Sequence, residues 1–272
     1  MSIPYRLPAQ LPTVSVVIPV KDDAPKLRQC LEAVNRQDPP AHEVIVVDNA
    51  STDDSAAVAR AFGACVIAEP RIGIGTASST GYDHATGSVI LRLDADSVPD
   101  PGSIAAAARA FAADPLLEAL TGPAHFNDGP TLLRRPALLV YLVPYYFLTG
   151  LALGHVPLFG SNMAFRRNAW LEVRNELHLA DWLVHDDVDL SFHLGSRHRI
   201  GFCRSMRVGI SMRPFTDGQR LLRLRRGFHT IFLHWPEEAP WVRIAGAARR
   251  RRLLRPRPRG ATPLPPSGAD RA

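Results

Sequence analysis

Residues 88–101 read SVILRLDADSVPDP, and the 272-residue chain is organised around them. Val89, Ile90, Leu91 and Leu93 form a short, β-branched apolar run, the pattern of a buried strand. At its end stand Asp94 and Asp96 with the small Ala95 between them. In an extended chain residues i and i+2 point to the same side, so both carboxylates face one place. Paired hard oxygens at a strand end suit a Mg²⁺ or Mn²⁺ that is also held by phosphates. An isolated Asp-x-Asp is usually two solvated acids opening a turn, here before Pro99, so its meaning depends on its neighbours.

Those neighbours alternate. Residues 13–20 (TVSVVIPV) form a buried strand, and Leu27, Leu31 and Val34 at helical spacing make 24–36 a helix ended by Asp38-Pro39-Pro40. Residues 43–48 (EVIVVD) are a second strand, 53–62 a helix with acids in its first turn, 64–68 a third strand and 75–86 a helix closed by Gly87. Asp100-Pro101 caps an Ala-rich helix over 102–113. Strands alternating with single helices indicate a doubly wound, mostly parallel sheet with flanking helices, of α/β class. Ligands of such sheets bind beyond the carboxyl ends of the strands. Asp22, Asp23, Asp48, Asp94 and Asp96 all fall just past strand ends. Gly73-Ile74-Gly75 with Ser78 imitates a dinucleotide fingerprint but follows the third strand, while the first turn, 19–23, has no glycine. A nicotinamide dehydrogenase is therefore set aside.

Composition bounds the rest. Apolar residues make up 46% and charged ones 21%, ordinary for a soluble globular chain. Cys30, Cys65 and Cys203 lie far apart and outside any CxxC spacing; they read as buried thiols of a reducing compartment and give no zinc site. No secretory leader pattern opens the chain, so a cytoplasmic location is expected. The net charge of +6 is uneven: residues 249–272 hold eight Arg against Asp270, or +7, which leaves −1 for residues 1–248. A near-neutral body argues against nucleic acid as a partner.

Four stretches in order, PTVSVVIPVKDD, EVIVVDNASTDDS, GIGTASSTG and ILRLDADSVPDP, resemble the nucleotide-binding half of family 2 glycosyltransferases, inverting enzymes of the GT-A fold. The resemblance covers residues 12–115. It implies that Asp48 contacts the donor base, that Pro19 and Asp22/Asp23 line the nucleoside pocket, and that Asp94 and Asp96 hold the divalent cation. The family's Arg-Asn before the glycine at Gly81 is absent; Ser78-Ser79-Thr80 stand there. Further on, Gly160-Ser161-Asn162 and the residues to Arg167 resemble the acceptor-side strand. His185-Asp186-Asp187-Val188-Asp189-Leu190 resembles the Glu-Asp-x-x-Leu helix start. The resemblance makes Asp187 the general base, with Asp186 in the Glu place. Read without it, the acids could simply cap a helix.

Apolar residues at 221, 224, 228, 231 and 235 give an amphipathic helix over 219–235. Its other face carries Arg220, Arg223 and Arg226, either a solvated basic face or, for Arg223 and Arg226, a clamp on the donor pyrophosphate. Residues 132–159 are unusual: 137–154 carry no charge and include Tyr141, Tyr145 and Tyr146 after Arg134-Arg135. Eighteen such residues could cross a bilayer. A crossing would put Asp94/Asp96 and Asp187 on opposite sides, so the segment is read as a buried helix pair broken at Pro144 or as an interfacial segment with tyrosines at headgroup level.

The expected organisation is a nucleotide-sugar-binding half over 1–122, an acceptor-binding and catalytic half over 123–240, and a disordered basic tail over 241–272 able to hold anionic lipid. The expected activity is inverting transfer of a sugar, hexosyltransferase-type, from a nucleotide-diphospho-sugar to an acceptor hydroxyl or lipid phosphate, assisted by Mn²⁺ or Mg²⁺. The acceptor is a glycan or lipid-linked molecule of the cell envelope, met on the inner face of the plasma membrane. The alternatives are a non-catalytic, membrane-associated binding protein on the same fold, and a sugar-phosphate nucleotidyltransferase. The latter lacks the Gly-rich loop it needs after the first strand.

Overall fold

The computed structural model describes residues 10–253. It opens on β1 (Val14–Val20), buried along its whole length, followed by α1 (Ala24–Asn35), β2 (Glu43–Asp48), α2 (Ser55–Ala61), β3 (Cys65–Ala68), α3 (Ile74–His84) and β4 (Val89–Arg92). β5 (Val98–Pro99), α4 (Ser103–Ala113), β6 (Leu117–Thr121) and β7 (Ala124–Phe126) come next. α5 (Thr131–Pro144) runs through a π-helical turn (Tyr145–Thr149) into α6 (Gly150–Leu153). Then follow β8 (Met163–Arg166), α7 (Arg167–Val173), α8 (Asp186–Arg197), β9 (Arg199–Phe202), β10 (Val208–Ile210), α9 (Arg213–Thr216), α10 (Arg220–Leu233) and α11 (Pro240–Leu253).

Seven strands make one sheet in the order β3-β2-β1-β4-β8-β6-β9, with β8 antiparallel to both neighbours and the other pairs parallel. The near-continuous apolar sequence of β1 follows from helices covering both faces. On one face Val16 and Ile18 pack with Leu27, Leu31, Ile104 and Phe111; on the other Val17, Ile45 and Ile90 pack with Tyr82, Trp170 and Leu194. Register sets the functional edge. Val20 pairs with Asp48, which brings the turns after β1 and β2 together. Arg92 pairs with Met163, so antiparallel β8 delivers residues 160–162 of the second half beside the end of β4. A small sheet, β5-β10-β7, flanks this edge. The two halves of the chain thus share one sheet.

Several expectations need correction. Helix α4 begins at Ser103, not at 102, because Gly102 adopts the left-handed conformation (φ +80°). Cys30 is buried, but Cys65 is exposed and Cys203 half-buried. The stretch 131–153 is not a helix pair broken at Pro144; the π turn absorbs the proline and the helix continues. Nor is it a core helix: in its most apolar window only 22% of residues are buried, and Val140 (69% exposed) and Phe147 (64%) lie open. Its tyrosines point inward instead of out: Tyr146 donates to Gly122 O at 3.0 Å, and Tyr141 and Tyr145 pack on the core. The stripe on α10 is outward at Leu221 (81% exposed), Leu224 and Phe228, while Ile231 packs against Leu153, Val188 and Phe192; the neighbouring Phe232 is also more than half exposed. Residues 240–253 are helical, so the disordered tail expected from 241 fails for 241–253; residues 254–272 lie outside the described residues.

Gly81 lets α3 lie close against the sheet. A Cβ there would lie 2.4 Å from Val17 Cγ1 and 2.9 Å from Val47 Cγ2, in the middle of β1 and β2. Gly81→Ala gains about 1 kcal/mol of helix propensity but overpacks a closed core, which costs roughly 1–3 kcal/mol. Net destabilisation is expected, seen as a lower urea midpoint at unchanged slope.

Candidate active site

β4 ends in Arg92, whose guanidinium is 2% exposed inside an apolar sheet. Two carboxylates hold it there. Nη2 donates to Asp94 Oδ1 at 2.9 Å and Nη1 to Asp186 Oδ2 at 2.6 Å. Gly160 leaves the room, since a Cβ there would come within 3.0–3.1 Å of that guanidinium. Ser161 Oγ donates to the other Asp94 oxygen at 2.6 Å. Asn162 is buried and spans to Pro123 O (3.2 Å) and Met206 O (2.8 Å), fixing the 160–162 turn. The first turn of α8, the end of β4 and the lead-in to β8 therefore meet at one point.

Asp187, the residue after Asp186, faces the other way into protein. Its Oδ2 accepts the Gly160 N–H at 2.9 Å and lies 3.3 Å from the Tyr145 hydroxyl, which donates to Leu158 O. His185 Nδ1 donates to Oδ1 at 2.7 Å. Burial opposes ionisation, but the His185 charge and hydrogen bond, the Arg92 charge and the Gly160 N–H hold Asp187 well below the usual carboxylate range. Asp186 moves in the opposite direction: burial outweighs Arg92, and the neighbouring Asp187 charge adds to the rise.

The chain turns after β4, with Ser97 N–H donating to Asp94 O at 2.9 Å, so Asp96 is not carried on an extended strand as the sequence pattern assumed. Its nearest cation is Arg213, at 3.9 Å from Oδ2. Burial, and then the Asp94 charge, raise the Asp96 carboxyl to about 6. A divalent cation fits this donor set: Asp96 is an anion short of a counter-charge, and each Asp94 oxygen keeps a lone pair beyond its one hydrogen bond.

The donor-side acids lie along the same edge. Pro19 is buried within β1 opposite Val47, and Asp48, at the end of β2, accepts the Ser51 N–H at 3.2 Å. Asp22 adopts φ +50° and accepts from the Thr52 N–H (2.6 Å) and hydroxyl (3.0 Å), which with Lys21 lowers its carboxyl to about 2. Asp22 thereby ties the turns after β1 and β2 together. Asp23 holds Arg213 at 2.6 Å. Arg223 and Arg226 are both engaged, Arg223 Nη1 with Asp217 Oδ1 at 2.9 Å and Arg226 with Val184 O at 2.7 Å. Arg92, Arg213, His185 and Tyr145 were not read from the sequence as site residues. Only Arg92 carried a signal, a lone cation inside an apolar run.

Comparison with known proteins now fits this geometry. The family model described as Glycosyl transferase family 2 matches residues 15–174. The chain belongs to that family. An uncharacterised glycosyltransferase of Mycobacterium tuberculosis is 40% identical over 91 residues, which are 34% of this chain and 40% of the relative. An undecaprenyl-phosphate 4-deoxy-4-formamido-L-arabinose transferase of Sodalis glossinidius is 36% identical over 107 residues, 36% of this chain and 33% of the relative. The matched part thus spans well under half the length of these relatives. Among solved structures, a Pyrobaculum calidifontis mannosyltransferase in complex with GDP-Man and Mn²⁺ superimposes with a TM-score of 0.63 at 22% identity, covering 91% of this chain and 72% of that one. Glucosyl-3-phosphoglycerate synthase of M. tuberculosis, with Mg²⁺ and UDP, gives 0.59 at 20% identity, with coverage of 78% and 76%. The fold of this family 2 chain is GT-A.

Replacing Arg92 leaves Asp94 and Asp186 facing each other without a counter-charge. Breaking a buried pair from one side typically costs about 3–5 kcal/mol. Arg92→Met should destabilise by that order in urea unfolding, and Arg92→Met with Asp186→Leu should recover part of the loss.

Proposed function

We propose that this family 2 chain transfers a glycosyl group, with inversion, from a nucleotide-diphospho-sugar to a lipid-linked acceptor, using a divalent cation. The observation that carries the reading is the convergence of Asp94, Asp96, Asp186 and Asp187 with Arg92 at the carboxyl edge of the sheet. Residues 1–122 serve the donor and residues 123–240 the acceptor. Asp96 and Asp94 hold the cation, which when bound neutralises charge on the departing diphosphate. Arg213 adds a fixed positive charge beside Asp96, and Asp48, Asp22 and Pro19 shape the nucleoside side. Arg223 reaches the pyrophosphate only by leaving Asp217, and Arg226 only by leaving Val184 O.

Displacement at the anomeric carbon also needs the acceptor hydroxyl to lose its proton on the face away from the diphosphate. The resemblance put that duty on Asp187; the hydrogen bonds favour Asp186. Both Asp187 oxygens are occupied and its affinity for protons is low, whereas Asp186 Oδ1 is free of hydrogen bonds among the described residues and the group binds a proton more readily. Asp187 then positions the 160–162 turn. A positioned base contributes about 10²–10⁴-fold. Asp186→Asn should lower turnover by that factor for a hydroxyl acceptor while cation-dependent donor binding survives in calorimetry. A lipid phosphate is already ionised, so with that acceptor the same substitution should cost far less. Turnover surviving Asp186→Asn but abolished by Asp187→Asn, with a hydroxyl acceptor, returns the base to Asp187.

A lipid-linked acceptor is supported by the apolar face of residues 131–153 together with Leu224, Phe228 and Phe232 of α10. It is also supported by the likeness to undecaprenyl-phosphate transferases. This face would lie in the inner surface of the plasma membrane, with the basic residues beyond 248 adding attraction for anionic lipid. The full chain should co-sediment with anionic vesicles, and Val140→Asp with Phe147→Asp should abolish this at high salt without lowering the melting temperature. Failure of the unaltered chain to sediment at low salt rejects the membrane reading.

A further inference from the structure

Behind the catalytic turn of α8, on residues that the transfer reaction does not use, four side chains converge. Asp189 is 1% exposed, and three imidazoles surround its Oδ1: His178 Nδ1 at 2.9 Å, His234 Nε2 at 2.9 Å and His193 Nε2 at 3.4 Å. All four ligand atoms lie within 4.8 Å of one another. In a four-coordinate zinc site with bonds near 2.0–2.1 Å the donor atoms sit about 3.3 Å apart, so little movement is needed. Asp189 and His193 are one helical turn apart on α8, which places them on one face. His178 comes from the segment before α8, and His234 from the end of α10.

The outward nitrogens supply a second, independent observation. His193 Nδ1 faces Glu176 Oε2 at 3.4 Å, whereas His234 Nδ1 lies 4.0 Å from a Glu238 oxygen that Arg243 holds at 2.6 Å. A neutral His193 ring that gives its Nδ1–H to Glu176 turns a bare Nε2 lone pair on the Asp189 oxygen, which is repulsive unless a proton or a metal ion lies between them. His193 Nε2 is indeed buried without a hydrogen bond among the described residues. Metal-bound imidazoles characteristically donate the opposite N–H to a carboxylate. Asp189 Oδ2, meanwhile, accepts the His178 backbone N–H at 2.9 Å, which orients the carboxylate.

We propose that His178, Asp189, His193 and His234 form a structural Zn²⁺ site distinct from the Asp94/Asp96 site. Three imidazoles and a carboxylate suit zinc better than the all-oxygen preference of Mg²⁺ or Ca²⁺. Four protein ligands leave no open position, so the ion holds structure and does not activate water. It ties the segment before α8 and the end of α10 to the helix whose first turn carries Asp186 and Asp187.

The test uses the full chain, stripped with chelator and given ZnCl₂ alone. One zinc per chain should survive gel filtration, and a hundredfold excess over Kd should raise the melting temperature by roughly 5–10 °C. Co²⁺ should give the visible bands of a four-coordinate centre. Both properties should persist in Asp96→Asn, which removes the family cation ligand, and both should vanish in His193→Gln. They should vanish also in His178→Ala, whose side chain is 38% exposed and whose loss leaves the fold standing. Zinc retained equally by the two histidine variants, zinc lost in Asp96→Asn but kept in them, or no zinc retained by the unaltered chain each overturns the site. None of these outcomes bears on glycosyl transfer, which is assayed separately with Mn²⁺ or Mg²⁺.

Discussion

Arg92 sits where a β-strand of this sheet would ordinarily carry an apolar residue, and the site is built around its charge. An unpaired guanidinium at 2% exposure is untenable, because burying a charge without partners costs several kcal/mol. Asp94 from the turn just after the strand and Asp186 from α8 are therefore drawn to it from opposite directions. That demand locates the start of α8 against the end of β4. It also favours glycine at 160, for a Cβ there would crowd the guanidinium at 3.0–3.1 Å. Ser161 completes the shell on Asp94 and Asp187 anchors the same turn through the Gly160 N–H. One buried cation thus ties the end of β4 to two segments that lie more than sixty residues further along the chain.

The same arrangement divides labour among similar carboxylates. Asp187 and Asp186 are adjacent in sequence and differ only in what surrounds them, yet their proton affinities move in opposite directions. Asp96 has no close hydrogen-bonded cation and is left as the acid with a charge still to be met. Environments that push like groups apart are how a single cluster can both bind a cation and accept a proton. Around this polar edge the second half of the chain does the opposite of a soluble core. It turns its apolar stripes outward on residues 131–153 and α10 and keeps tyrosines and arginines inside, where their polar ends reach backbone carbonyls.

Much of the fold was legible in the chain itself. A strand buried on both faces must be apolar at every position, and a helix must be apolar every three or four, so β1, β2, β4 and the helices between them could be read from periodicity alone. The placing of Asp48, Asp94 and Asp96 beyond strand ends was equally local, because a parallel sheet puts all its carboxyl ends on one edge. Pairing across the chain was not local. That β8 lies antiparallel against β4, that Arg92 reaches Asp186, that Arg213 reaches Asp23, and that His234 joins Asp189 depend on contacts between residues far apart in sequence, to which periodicity is blind. The direction of an amphipathic stripe was also beyond reach. Spacing fixes which residues share a helix face, but only the packing of α10 and of residues 131–153 against their neighbours decided that the apolar face would be the one left outside.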